Sequence, residues 1–283
     1  MPAEMTGRVC VITGASRGIG KASAEALASL GASLTLVCRQ QADGDKVAGE
    51  IGRRPATVPD IVAADLSSQT EIRRAAEQIR ERHPVVHVLI NNAGVFTRRR
   101  ELTLDGLERQ FAVNHLAYFL FTNLLLDCLR AGAPSRIINV SSAAHSGSQL
   151  DLADLQGERS YDGNRAYSHS KLANILFTYE LARRLRGTGV TANCLHPGVI
   201  ATRLLANYMG VRAAGSALAR TFGAKPEKGA ETIVYLASSQ EVEGVTGKYF
   251  VNQSPVTSSR ESNDEAAARR LWDVSERLTG ISN

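Results

Sequence analysis

The chain has 283 residues, 43% of them hydrophobic and 22% charged, which permits a globular protein with a sizeable core. No stretch approaches the ~18 consecutive apolar residues of a membrane-spanning helix, and Met1–Arg8 runs at once into a strand pattern, so a cytoplasmic protein without a signal peptide is expected. The net charge of +5 admits an anionic ligand, but Lys and Arg are interspersed with acids apart from Arg98–Arg99–Arg100, which argues against nucleic acid.

Short apolar runs alternate with helical patterns along the chain. Arg8–Gly14 reads as a buried strand and Ile19–Leu30 as a helix with alanines on its packing face. Ser33–Arg39, Asp60–Leu66 and His87–Gly94 read as strands, with a helix near Ser68–Arg82. A long helix is expected near Leu104–Arg130, a strand at Arg136–Ser142 and a second long helix near Arg165–Arg186. Val190–His196, a helix near Glu227–Ser238 and Lys248–Val251 complete the alternation. Continuous apolar strands joined by helical crossovers imply a parallel sheet of about seven strands covered on both faces, an α/β Rossmann-type doubly wound fold in one domain over residues 1–283. The segment 198–225 follows a strand's C-terminal end and is expected to form a lid over a substrate pocket. Residues 263–279 carry Leu271, Val274 and Leu278 at helical spacing and predict an amphipathic C-terminal helix. Cys10, Cys38, Cys128 and Cys194 show no metal-site spacing, so buried free thiols and no metal are expected.

Thr13-Gly14-Ala15-Ser16-Arg17-Gly18-Ile19-Gly20 joins the first strand to the first helix. Gly14 permits the sharp turn, Gly18 a close approach of backbone to a pyrophosphate, and Gly20 tight packing, while the helix N-terminus offers N–H groups to phosphate. Dinucleotide binding follows as the expectation. The second strand ends Leu36-Val37-Cys38-Arg39 with no carboxylate for a ribose 2′-hydroxyl, and Arg39 and Arg17 are placed to meet a 2′-phosphate. NADP(H) is therefore expected over NAD(H).

Tyr167 and Lys171 lie four residues apart, on one face of the second long helix. An ammonium beside a phenol in a partly dry site is expected to lower the phenol's pKa from ~10 toward neutrality, at about 1.36 kcal/mol per unit. Together with the glycine-rich turn, Asn91–Gly94 (NNAG), Asn114 and Ser141-Ser142 after the fifth strand, these residues resemble the short-chain dehydrogenase/reductase family over roughly Arg8–Val251. The phrases Cys38-Arg39, Val113–Leu116, Thr122–Leu125, Asp154–Glu158, Tyr167–Asn174, His196–Gly198 and Gly247–Phe250 resemble the retinol-dehydrogenase-like branch more narrowly. The separation of twenty-five positions between Ser142 and Tyr167 fits an insertion found in that branch.

The resemblance implies that Tyr167 is the general acid or base, that Lys171 assists it and binds ribose hydroxyls, and that Ser142 bonds the substrate oxygen. It implies that Asn114 holds a water linking Lys171 to solvent. It further places Ser16, Ile19, Asp65, Leu66, Asn92, Ala93, Gly94, Val140, Pro197, Gly198, Ile200 and Thr202 along the cofactor. His145 falls close to the site and reads as an ordinary loop histidine. Leu204, Leu205, Tyr208 and Met209 point to a partly apolar pocket, so a lipophilic aldehyde or ketone is expected. Retinal-like compounds are among the candidates, although the membrane anchor of many relatives is missing from this sequence. The alternatives are a catalytically idle NADP(H)-binding sensor or scaffold and a light-driven reductase. The resemblance leaves room for a homodimer or homotetramer paired through the long helices, for which Ala117–Leu129 is apolar enough, although the same stretch also reads as plain core.

Overall fold

The computed structural model describes residues 4–52, 58–201, 204, 206, 208 and 223–281. Most of the expected lid at 198–225 lies outside these residues, and so do Thr202, Leu205 and Met209. The two ends of that segment are described, and they meet. Ala201 N–H donates to Ala224 O at 2.9 Å, and Ala224 N–H donates to Val199 O at 2.9 Å.

One sheet organises the chain. Its strands are β1 (Val9–Thr13), β2 (Ser33–Cys38), β3 (Asp60–Ala63), β4 (Val88–Asn91), β5 (Ser135–Val140), β6 (Val190–His196), β7 (Tyr249–Val251) and β8 (Ser254–Val256). Their order across the sheet is β3-β2-β1-β4-β5-β6-β7-β8. β1 to β7 pair in parallel, as their apolar runs predict, and β8 adds an antiparallel edge strand. That edge was not anticipated, because Ser254-Pro255-Val256 is exposed throughout and carries no apolar pattern.

The helices cover both faces. α1 (Gly18–Ser29), α2 (Gln41–Ile51) and, further along, Pro226–Ser238 lie over one face, where Leu27, Leu36, Ile12, Val47 and Ile233 form a buried cluster. On the other face α3 (Gln69–Arg82) and the helices between Arg109 and Arg184 bury Ile72, Ile79, Leu89, Phe119 and Phe177. α2 had no place in the expected order, since its sequence is polar and buries only Gly44, Val47, Ala48 and Ile51.

The long helix expected at Leu104–Arg130 is broken into pieces. Leu102 and Glu108 form an isolated antiparallel bridge around Gly106 (φ 75°), so helix begins only at α4 (Arg109–Phe111), capped by the Glu108 carboxylate. A π-helical turn follows at Ala112–Leu116, then α5 (Ala117–Leu124) and α6 (Leu126–Ala131). π turns inside helices are uncommon and tend to sit at functional sites. In the stretch Ala117–Leu129, which the sequence offers either to subunit pairing or to the core, Phe119, Leu120, Leu125 and Leu129 are fully buried within the chain.

α7 (Gly163–Arg184) starts where Asp162 caps the backbone of Arg165. α8 (Pro226–Ser238) and the C-terminal helix α9 (Glu265–Thr279) complete the described helices of this kind. α9 packs on α5 and α7: Trp272 meets Phe119 at 4.9 Å and Phe177 at 5.8 Å, and the Arg184 guanidinium lies 4.1 Å above its ring. No helix among the described residues is long and apolar enough to cross a membrane.

Candidate active site

The strand order reverses between β1 and β4, and ligands of open α/β sheets bind beyond the strand ends at such a point. Polar bonds stitch those two ends together. Asn92 N–H donates to Thr13 Oγ1 at 2.9 Å, and Asn92 Nδ2 donates to the carbonyl of Thr13 at 2.9 Å. The glycine-rich turn is packed accordingly. Gly14 has φ 68°, and a Cβ there would come within 2.8 Å of the Ala93 backbone. A Cβ on Gly20 would collide with the Gly14 carbonyl and stand 2.5 Å from Asn92 Nδ2. Gly18 also takes a left-handed φ, 55°.

α1 then opens without a side-chain cap on Arg17 and without an acid in its first turn, so its positive end faces the cleft uncompensated. Ser16 and Ile19 are half-buried beside it, and Arg17 and Arg39 are exposed. Asp65 and Leu66 follow the end of β3. The Asp65 carboxylate is engaged locally, accepting from Ser67 N–H at 2.9 Å and Ser67 Oγ at 2.7 Å.

The candidate catalytic residues converge beyond the ends of β4 and β5. Ser142 is the first residue past the β5 ladder, whose last bond runs from Ser141 N–H to Leu195 O. Ser141 Oγ donates to the carbonyl of Lys171 at 2.7 Å, which fixes α7 along the strand end. Tyr167 and Ser142 are thereby brought near each other, close enough for Ser142 to act on the phenol against the effect of its burial. One turn on, Lys171 Nζ lies 5.6 Å from the centre of the Tyr167 ring and 5.9 Å from that of Tyr118. It donates to the Val140 carbonyl at 3.1 Å. Val140, expected along the cofactor, thus contributes an oxygen that holds the lysine.

Asn114 sits in the π turn. Its Oδ1 accepts from Val95 N–H at 2.8 Å, and its Nδ2 donates to Val95 O and to Ser170 Oγ, both at 3.0 Å. The side chain therefore clamps the chain leaving β4 onto α7. The clamp presses Gly94 close: a Cβ there would be 3.5 Å from Asn114 Oδ1 and 3.7 Å from Lys171 Nζ. Ala93 O accepts from the buried Tyr118 hydroxyl at 2.8 Å. On the far side Pro197 and Gly198 (φ 92°) follow β6, and Ile200 is buried in a bridge to Ala224.

Burial controls the two titrating groups. It pushes the Tyr167 phenol well above its usual range, against the opposing influence of Ser142, and pushes Lys171 down to about 7. The expected lowering of the phenol by its neighbour is not what the protein's own side chains produce, because both groups are dry and each favours its neutral form. Lys171 is a buried amine that donates to the Val140 carbonyl, with no ion-pair carboxylate beside it among the described residues. An amine so placed fits a ligand bearing hydroxyl or anionic oxygens.

Three further residues frame Tyr167 or Ser142. Phe96 meets Tyr167 edge-on at 5.9 Å, and Tyr208 lies 5.5 Å from Tyr167 and 5.3 Å from Phe96. His145, read as a loop residue, is buried against Ser142. Of the arginine run, Arg98 and Arg99 are exposed, whereas Arg100 donates to Gln156 O at 2.9 Å and faces Glu158.

A family model described as short chain dehydrogenase matches residues 8–210. Human retinol dehydrogenase 14 is 42% identical over 297 aligned residues, covering 99% of this chain and 88% of that protein. A crystal structure of an uncharacterised Mycobacterium Paratuberculosis protein superposes with a TM-score of 0.80 at 33% identity, covering 99% of this chain and 96% of that one. Another, described as an NAD(P)-dependent gluconate 5-dehydrogenase from Beutenbergia cavernae with NADP bound at low occupancy, has a TM-score of 0.72 at 27% identity, covering 89% and 97%. The arrangement at the ends of β4 and β5 and these likenesses agree: the chain belongs to the short-chain dehydrogenase/reductase family, in its retinol-dehydrogenase-like branch.

Proposed function

We propose that the protein is an NADP(H)-dependent oxidoreductase of lipophilic aldehydes and ketones, or of the corresponding alcohols. The observation that carries this is the gathering of Ser142, Tyr167 and the dry amine of Lys171 beyond the ends of β4 and β5, with Lys171 Nζ 5.6 Å from the Tyr167 ring. NADP bound to a related short-chain dehydrogenase supports the cofactor, as do a β2 end without a carboxylate and the exposed Arg17 and Arg39.

Bound NADPH would supply the hydride. The protein's residues manage the proton and the substrate oxygen. Tyr167 keeps its proton on Oη throughout the physiological range, because burial raises its pKa, so it is loaded as an acid toward a carbonyl oxygen. Ser142 Oγ, next to it, bonds the same oxygen where charge develops. Lys171 titrates near neutrality, at about 7, and is suited to return a proton to Tyr167. Gly14, Gly18 and the open N-terminus of α1 would hold phosphates, with Asn92, Ala93 and Gly94 lining the route to the nicotinamide. Phe96 and Tyr208 give the substrate an aromatic wall beside Tyr167, which favours an apolar carbonyl compound.

The test is NADPH oxidation with aliphatic aldehydes, aromatic ketones, quinones and retinal. Turnover that rises with apolar surface is expected. NADPH binding without oxidation of any of these compounds would contradict the proposal.

A further inference from the structure

His145 ends the short 3₁₀ turn Ala143–His145 that Ser142 caps. It is only 2% exposed. Two of its donors meet the Ser142 carbonyl: the backbone N–H at 3.2 Å and Nδ1 at 2.7 Å. Its other ring nitrogen, Nε2, faces the backbone N–H of Ser259 at 3.2 Å. A backbone N–H can only donate, so Nε2 must accept and the ring proton must sit on Nδ1. The neighbours thus fix both the tautomer and the neutral state of the imidazole.

The far end is anchored as firmly as the near one. The Ser259 carbonyl accepts from Ser262 Oγ at 2.6 Å and Asn263 Nδ2 at 2.9 Å, and Ser258 Oγ is bonded to the Tyr179 hydroxyl of α7 at 2.7 Å. The Tyr249 ring packs across the imidazole at 5.0 Å. Ser142 itself lies beyond the last bond of the β5 ladder, so the sheet does not hold its backbone.

We infer that His145 is a positioning residue: its neutral imidazole is a strut between the Ser142 carbonyl and the Ser259 backbone, and it fixes the Ser142 hydroxyl beside Tyr167. The inference rests on the proposed role of Ser142 at the substrate oxygen. Protonation would turn Nε2 from acceptor to donor, against the N–H of Ser259, and release one end of the strut. The titratable groups around the ring are His196 of β6, Tyr249 of β7 and Glu261 of the turn before α9, with Tyr167, Lys171 and Tyr179 on the adjoining α7. Glu261 favours the charged ring, while burial, the largest influence, holds His145 below its ordinary 6.5.

The experiment compares His145→Leu and His145→Asn, each with Ser142 intact and in a Ser142→Ala background, reading kcat, KM and NADPH binding by fluorescence. His145→Leu is expected to lower kcat roughly tenfold to a hundredfold, as small misplacements of a reacting group do, with NADPH binding retained. His145→Asn keeps a donor near the Ser142 carbonyl and should recover much of the loss. It should also abolish the decline of kcat below pH 6.5 expected of the wild type. With Ser142→Ala in place, His145→Leu should cause no further loss. Equal losses in both backgrounds, or an Asn variant no better than Leu, would overturn the strut. If the Leu variant does not fold, the acid decline in His145→Asn decides: its disappearance supports the strut and its persistence refutes it. A wild-type protein that oxidises no NADPH contradicts the oxidoreductase reading instead, so the two failures are distinguishable.

Discussion

Arg39 follows the last residue of β2, where a carboxylate would otherwise receive a ribose hydroxyl, and under the proposed function it meets the 2′-phosphate together with Arg17. Replacing Arg39 with Asp removes a charge-assisted partner worth about 1.5–3 kcal/mol. The KM for NADPH should rise by roughly ten- to a hundredfold while that for NADH falls, as steady-state kinetics with both cofactors will show. At this scale the sequence was informative wherever chemistry and spacing coincide. Tyr167 and Lys171 share a helical face, Ser142 follows a strand, and the three meet. It was uninformative where a role depends on a distant partner. Nothing near Asn114 foretells its grip on Val95, and nothing near His145 foretells Ser259, more than a hundred positions away.

Among the elements, α9 is the one whose placement the sequence left open, and its partners are now explicit. Trp272 is 3% exposed between Phe119, Phe177 and Arg184. Trp272→Ala should cost about 3–5 kcal/mol in urea unfolding, the usual penalty for emptying so large a site. Ser275 of α9 also bonds His115 of the π turn at 2.9 Å. Complete burial pushes His115 down to about 3, from an ordinary 6.5. The unfolded chain accepts this proton below about pH 6.5, whereas the folded one resists it until about pH 3. Above pH 6.5 the residue is neutral in both states and contributes no pH dependence. Below it, stability should fall by up to ~1.4 kcal/mol per pH unit until about pH 3. The urea midpoint of His115→Gln should therefore decline less between pH 6 and pH 4 than that of the wild type, and parallel declines would refute this source of acid sensitivity. β1, β2, β4 and β5 were legible because each is a mainly apolar run buried along most of its length, whereas the exposed β8 was not. The break in the Leu104–Arg130 helix was not, since it follows from the Glu108 cap and a π turn that apolar spacing does not encode.

Across the whole molecule, helical cover on both faces of one sheet follows from the alternation of runs, and the family likeness agrees with it. The C-terminal helix packs on α5 and α7 within the chain, one of the placements the sequence left open. Deleting residues 264–283 should uncover Phe119 and Phe177 and produce self-association or precipitation, read by sedimentation; an unchanged, stable protein would show that α9 is dispensable to the core. The account as a whole depends on the proton held at Tyr167 Oη beside Ser142 and Lys171. Its most direct test measures kcat and NADPH dissociation for Tyr167→Phe against the wild type. The account predicts a kcat lowered by on the order of a hundredfold to ten-thousandfold with NADPH still bound. Retention of most of the turnover would contradict it.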